Sequence, residues 1–134
     1  MLSLDTNLLV RYITQDGDEA TAVTEHLERE CSQVRPGFIC LLVLCELVWV
    51  LRRAYKYDRP GVVAILEGLL STAEFEVEHA SLAWRALTDY RAGSADFSDY
   101  LIGQVSHKYD ACPVHTLDRK AAKHANFVLV DVEP

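Results

Sequence analysis

The sequence predicts an α/β fold built on a largely parallel sheet, and three features lead there. Five short runs have strand character. Segments with helical periodicity separate them. Carboxylates stand directly after two of the runs, at the edge where open parallel sheets bind their ligands.

The elements follow in order. Leu2 to Leu4 reads as a strand stub ending at Asp5, and Asn7 to Ile13 as a short helix. Gly17 breaks that pattern, and Asp18 to Glu30 forms a polar helix with apolar teeth at Ala22, Val23 and Leu27. Pro36-Gly37 is a turn, after which Phe38 to Cys40 is wholly apolar, as a buried parallel strand is. Val43 to Arg53 is a strongly apolar helix. Asp58-Arg-Pro-Gly61 closes that unit, and Pro60 suits the first turn of a helix whose apolar face is Val62, Val63, Leu66, Leu69 and Leu70. Phe75 to Glu78 alternates like a strand. Ser81 to Tyr90 is helical, stopped at Gly93, and Asp96 to Lys108 is a further helix. Pro113 to Leu117 is a strand, Arg119 to Ala125 a short helix, and Phe127 to Val130 the last strand.

Length and composition suit one globular domain spanning residues 1–134. Half of the residues are apolar and 25% are charged, a balance that fills a core and argues against disorder. A chain this long buries about two thirds of its unfolded surface and needs no staple. Met1-Leu-Ser-Leu-Asp5 lacks the basic segment of a signal peptide. The longest apolar stretch, Phe38 to Leu51, is interrupted by Glu46 and is too short to span a bilayer. A cytoplasmic protein without membrane contact is expected. Cys31, Cys40, Cys45 and Cys112 show no C-x-x-C spacing and read as reduced core residues rather than disulfides or zinc ligands. The net charge of −7 is unusual for a nucleic-acid binder. Four carboxylates gathered in a metal site would account for part of it.

Each acid has two readings. Asp5 and Asp118 could cap the helices that follow them, or stand together at the sheet edge around a hard cation such as Mg²⁺ or Mn²⁺. Asp96-x-x-Asp99 resembles a capping box, with Asp96 as N-cap and Asp99 at the third helical position. Glu46 is the most informative, because its helix neighbours at three and four residues are Leu42, Val43, Trp49 and Val50. None can pair with it. It must face solvent, meet a distant arginine, or line a metal site.

At these positions the chain resembles PIN domains of the VapC type. Leu4-Asp5-Thr6-Asn7 is similar to the family's opening strand-Asp-Thr-Asn. Val43-Leu-Cys-Glu46-Leu-Val-Trp-Val-Leu51 is similar to the helix carrying its second acid. Gly93-Ser-Ala-Asp96-Phe-Ser-Asp99-Tyr-Leu-Ile-Gly103 resembles the segment with the third, and Thr116-Leu-Asp118-Arg-Lys-Ala-Ala122 the segment with the fourth. The matches come in the family's order and cover nearly the whole chain. Leu117 stands where Phe is frequent, and Gly103-Gln104 where alanines are.

The resemblance implies a three-layer α/β/α arrangement with a central, mostly parallel sheet of four to five strands. It also implies an acidic pocket of Asp5, Glu46, Asp99 and Asp118. Asp5 and Asp99 would be the main Mg²⁺ (or Mn²⁺) ligands. Glu46 and Asp118 would hold water or a second ion. Asn7, Thr116 and Asp96 would orient the carboxylates from behind. The expected reaction is endonucleolytic hydrolysis of RNA, with the cation offsetting charge at phosphorus. A small VapB-type antitoxin and a homodimer are the partners the family implies.

Arg11, the Arg52-Arg53-Lys56 group and the Arg119-Lys120-Lys123 group follow three of the four acids and could grip flanking phosphates, or be ordinary solvated charges. Tyr12 and Tyr100 could stack on bases or serve packing. The five histidines lack ligand spacing and read as structural or exposed. Two other functions compete. A signalling receiver shares the fold class and Mg²⁺, but needs paired acids after the first strand, where this chain has one. A catalytically silent PIN-like binding protein would keep the acids without the activity.

Overall fold

The computed structural model describes residues 1–132. The chain divides into two compact units, Met1 to Ala80 and Ser81 onward. The predicted α/β class with parallel strands is what it adopts.

The first unit runs β1 (Leu2–Ser3), α1 (Thr6–Thr14), α2 (Ala20–Glu30), β2 (Gly37–Ile39), α3 (Leu41–Arg53), α4 (Arg59–Ser71) and β3 (Phe75–Val77). The three strands form a parallel sheet in that order, with Leu2 opposite Gly37, and Gly37 opposite Phe75. Parallel neighbours require long crossovers, which the paired helices supply. Gly37 is fixed by space. A Cβ there would lie 2.7 Å from Leu4 Cδ1 and 2.9 Å from Cys31 Sγ, so only glycine lets this middle strand lie so close to its neighbours.

The helix starts and stops obey local chemistry. Asp5 caps α1 and Asp58 caps α4, the latter accepting from the Gly61 N–H at 2.8 Å with proline in the first turn. Gln15 ends α1 in the left-handed region, φ 56°, with its N–H on the Arg11 carbonyl. The apolar run of α3 divides into two faces. Leu44, Leu47, Val48 and Leu51 are buried, while Leu42 and Trp49 are 70% and 62% exposed. Hydrophobic content hid this amphipathicity, because the outward face also carries large apolar side chains.

The second unit runs α5 (Ala80–Ala92), α6 (Phe97–Lys108), β4 (Val114–Thr116), a single 3₁₀ turn (Ala121–Lys123) and β5 (Phe127–Leu129). β4 and β5 pair in parallel, Val114 opposite Phe127 and Thr116 opposite Leu129. The core is Leu82, Ala83, Ala86, Leu87, Tyr90, Phe97, Tyr100, Leu101, Ala121 and Phe127. Tyr90 and Phe97 meet edge to face at 5.9 Å. The Cys112–Pro113 peptide before β4 is cis.

The helix expected over Arg119 to Ala125 shrinks to that 3₁₀ turn. The Asp118 carboxylate ties up the N–H groups of Lys120 and Ala121 in a turn, and His124 is already extended. His124 is held in place. Its Nε2 lies 3.1 Å from Asp89 Oδ1, its Nδ1 accepts from the Asn126 N–H at 3.0 Å, and Asp89 also accepts from Gln104 at 2.8 Å. Among the described residues no helix is long and apolar enough to cross a membrane.

Candidate active site

In the first unit, Asp5 follows β1 and lies exposed at the head of α1. Its Oδ1 accepts from the Leu8 N–H at 3.0 Å, so the capping reading of Asp5 describes its geometry. The cap uses one carboxylate oxygen and leaves Oδ2 without a hydrogen-bond partner among the described residues.

Glu46 lies on the exposed face of α3. Of the three outcomes open to it, the solvent-facing one is observed. No arginine meets it among the described residues. Instead the Thr6 hydroxyl donates to its Oε1 at 2.8 Å. Since Thr6 adjoins Asp5 in the chain, this bond ties the acid of α3 to the immediate surroundings of the acid at β1. A carboxylate lining an open ionic site is necessarily exposed, so this position suits a site as well as a surface. Asn7, expected to orient the acids, is exposed with no side-chain partner among the described residues. Thr6 was the residue that sequence reasoning missed. Its place beside Asp5 was visible, but a partner forty positions away was not.

In the second unit, Asp118 follows β4. Its Oδ1 accepts from the N–H groups of Lys120, at 2.7 Å, and Ala121, at 3.0 Å. These bonds brace the turn ahead of the 3₁₀ segment, whose N-cap position is Lys120 rather than Asp118, and they occupy one oxygen, leaving Oδ2. Thr116 acts as expected of an orienting group, though on backbone: its Oγ1 accepts from the Asp118 N–H at 3.0 Å.

Asp96 is the N-cap of α6 by backbone geometry, but its side chain makes no capping bond. The expected capping box is therefore only half formed. The Asp96 backbone N–H acts on the Asp99 carboxylate, while Asp96's own carboxylate stays exposed. Burial raises the Asp99 pKa above its ordinary value, the charges of Asp118 and Asp96 raise it further, and the Asp96 N–H opposes them. A half-buried acid near two more acids concentrates negative charge at this place.

A hollow of about 310 Å³ lies in this unit, lined by Ser94, Ala95, Asp96, Asp118, Arg119 and Lys120. Three of the other basic groups expected to grip phosphate have contacts of their own. Arg11 pairs with Glu19 at 3.9 Å, Arg52 donates to the Tyr57 carbonyl at 3.2 Å, and Arg53 sits 5.5 Å from the Trp49 ring centre. Tyr12 packs edge-on against Phe75, and Tyr100 is buried with its hydroxyl accepting from the Ala95 N–H. Both tyrosines make packing contacts within the fold.

The four cysteines are free. Burial pushes the Cys45 thiol up to about 11, which leaves it protonated and inert at neutral pH. The donors available are thus carboxylate and hydroxyl oxygens, the hard set that Mg²⁺ or Mn²⁺ prefers. Within each unit, among the described residues, no three acidic, histidine or cysteine side chains converge tightly enough to hold an ion alone. The residues fit a hydrated divalent cation better than a dry protein cage, as Mg²⁺ usually keeps several waters.

The chain is similar to the VapC ribonuclease of Aquifex aeolicus (strain VF5), 24% identical over 123 residues, which cover 92% of this chain and 91% of that protein. The family model described as PIN domain matches residues 2–127, through every one of the four acidic positions. On that match, with the strand-Asp-Thr-Asn opening and its parallel strands in place, the chain belongs to the PIN domain family.

Proposed function

We propose that this protein is a divalent-metal-dependent endoribonuclease acting as the toxin of a VapBC-type pair, with Asp5, Glu46, Asp99 and Asp118 as its catalytic carboxylates. What supports the reading is the PIN domain match over residues 2–127 together with the half-buried Asp99 set near Asp118 and Asp96. Acids held in one another's field are favourable sites for a cation. The VapC ribonuclease likeness supports RNA as the substrate. A VapB-type antitoxin and a homodimeric assembly belong to the same proposal.

Asp5 and Asp99 would be the main ligands of Mg²⁺, with Glu46 and Asp118 holding its waters. When bound, the ion supplies positive charge against the negative charge that builds on a phosphoryl group under attack. The chain's own contribution is preorganisation. Helix-end amides hold one oxygen of Asp5 and of Asp118, and the Thr6 hydroxyl holds one of Glu46. Each carboxylate thereby keeps a defined orientation while its second oxygen remains available. Asp96 adds negative charge beside Asp99, and Thr116 fixes the turn that carries Asp118.

The test is incubation of the purified, antitoxin-free chain with structured RNAs and Mg²⁺. Cleavage that disappears with EDTA and with Asp5→Ala is expected. Intact RNA with a folded, metal-supplied sample would favour the silent binding protein.

A further inference from the structure

We propose that Arg119 and Lys120 form a subsite for the phosphodiester next to the one being cleaved, in the hollow they share with Asp96 and Asp118. The inference rests on the ribonuclease reading and adds to it the part of the substrate that these two cations hold.

The argument begins with the hollow's mixed lining. The lining combines two acids, Asp96 and Asp118, with two cations, Arg119 and Lys120. Both cations are exposed, and neither has an ion pair or side-chain hydrogen bond among the described residues. They follow Asp118 directly in the chain yet form no ion pair with it, while its Oδ1 accepts from the N–H groups of Lys120 and Ala121. That double amide bond also sets the turn, so the Lys120 backbone is pinned to the acid while its side chain is left free. Positive groups kept beside an acid but unpaired with it are disposed to meet an external anion.

The volume, about 310 Å³, is at the small end of the range for ligand sites and suits one nucleotide unit. Polarity gives the direction. The scissile phosphate would lie toward the acids, and the neighbouring phosphate would lie against Arg119 and Lys120. A planar guanidinium and a mobile ammonium together match phosphate oxygens without reading the base. The pair also sets positive charge within the hollow of a chain whose net charge is −7.

The experiment compares the full chain with the double variant Arg119→Ala/Lys120→Ala, and with Arg29→Ala/Arg85→Ala as a control losing the same charge at exposed positions elsewhere. The probe is a fluorescent mixed-sequence 12-nucleotide single-stranded RNA, with binding measured by anisotropy across a salt series and cleavage measured in Mg²⁺. The expected result is a KM about tenfold higher with kcat within twofold. The slope of log affinity against log salt should fall by about 0.7 for each phosphate that the variant no longer neutralises. The control should change neither. Wild-type cleavage combined with an unchanged KM and slope in the double variant overturns the subsite and leaves the nuclease standing. An equal effect in the control overturns it as well. Wild-type binding without cleavage, with the slope falling only in the double variant, keeps the subsite and removes the nuclease. Absence of both binding and cleavage in the wild type removes both.

Discussion

Thr6 and Glu46 are forty residues apart in the chain and joined by a 2.8 Å hydrogen bond from the threonine hydroxyl to Oε1. The bond lies at an exposed position, where it contributes little to stability. Its value is directional: it fixes the acid of α3 beside the segment that carries Asp5. Thr6→Val is therefore expected to lower kcat about tenfold while the unfolding free energy moves by about 0.5 kcal/mol or less. Thr6→Ser should restore the rate. A Thr6→Val enzyme of full activity would show that Glu46 needs no such support.

Asp5 combines a cap with a proposed ligand role, and two substitutions separate them. Asn is as good an N-cap as Asp, whereas Ala costs about 1 kcal/mol. Asp5→Asn should keep the stability of α1 and lose RNA cleavage. Asp5→Ala should lose both. Urea denaturation and cleavage assays on the pair decide it; equal stability of the two variants would contradict the cap, and cleavage by either would contradict the ligand role.

Asp99 ties stability to pH. Its folded pKa is raised by burial and by the charges of Asp118 and Asp96, so the folded chain holds that proton more tightly than the unfolded chain. Stability from this source is complete below the unfolded pKa and is lost as pH rises through the folded value. Asp99→Asn should thus raise Tm at neutral pH, with the gain vanishing in acid below the carboxylate range. Mg²⁺ should raise the wild-type Tm and do less for the variant. A lower Tm for Asp99→Asn at neutral pH without metal contradicts this account.

Gly93 and Gly68 offer a contrast in backbone space. A Cβ on Gly93 would fall 1.9 Å from the hydroxyl of buried Tyr100 and 3.1 Å from the Asp89 carbonyl. On Gly68, inside α4, it would meet nothing within 4 Å. Gly93→Ala is expected to cost about 1–3 kcal/mol by overpacking, and Gly68→Ala to stabilise by about 0.5–1 kcal/mol. Denaturant melts of both variants test the opposite signs.

Much of this protein was legible in its sequence. Alternating strand and helix patterns, the turn chemistry at Pro36-Gly37 and Asp58 to Gly61, and the strand-Asp steps at Asp5 and Asp118 rest on interactions within a few residues, and these settled the element order and the α/β class. Local spacing also named the cap at Asp5. Tertiary structure alone decided how the apolar residues of α3 divide between core and solvent, that Thr6 rather than Asn7 meets Glu46, and that Asp96 leaves its cap unmade. It also decided that the helix after Asp118 closes to one turn, and which basic groups share a hollow with an acid. The reason is physical. Periodicity and capping depend on neighbours along the chain, whereas a hydrogen bond across forty residues or the field of one acid on another depends on distances set only when the strands and helices have packed.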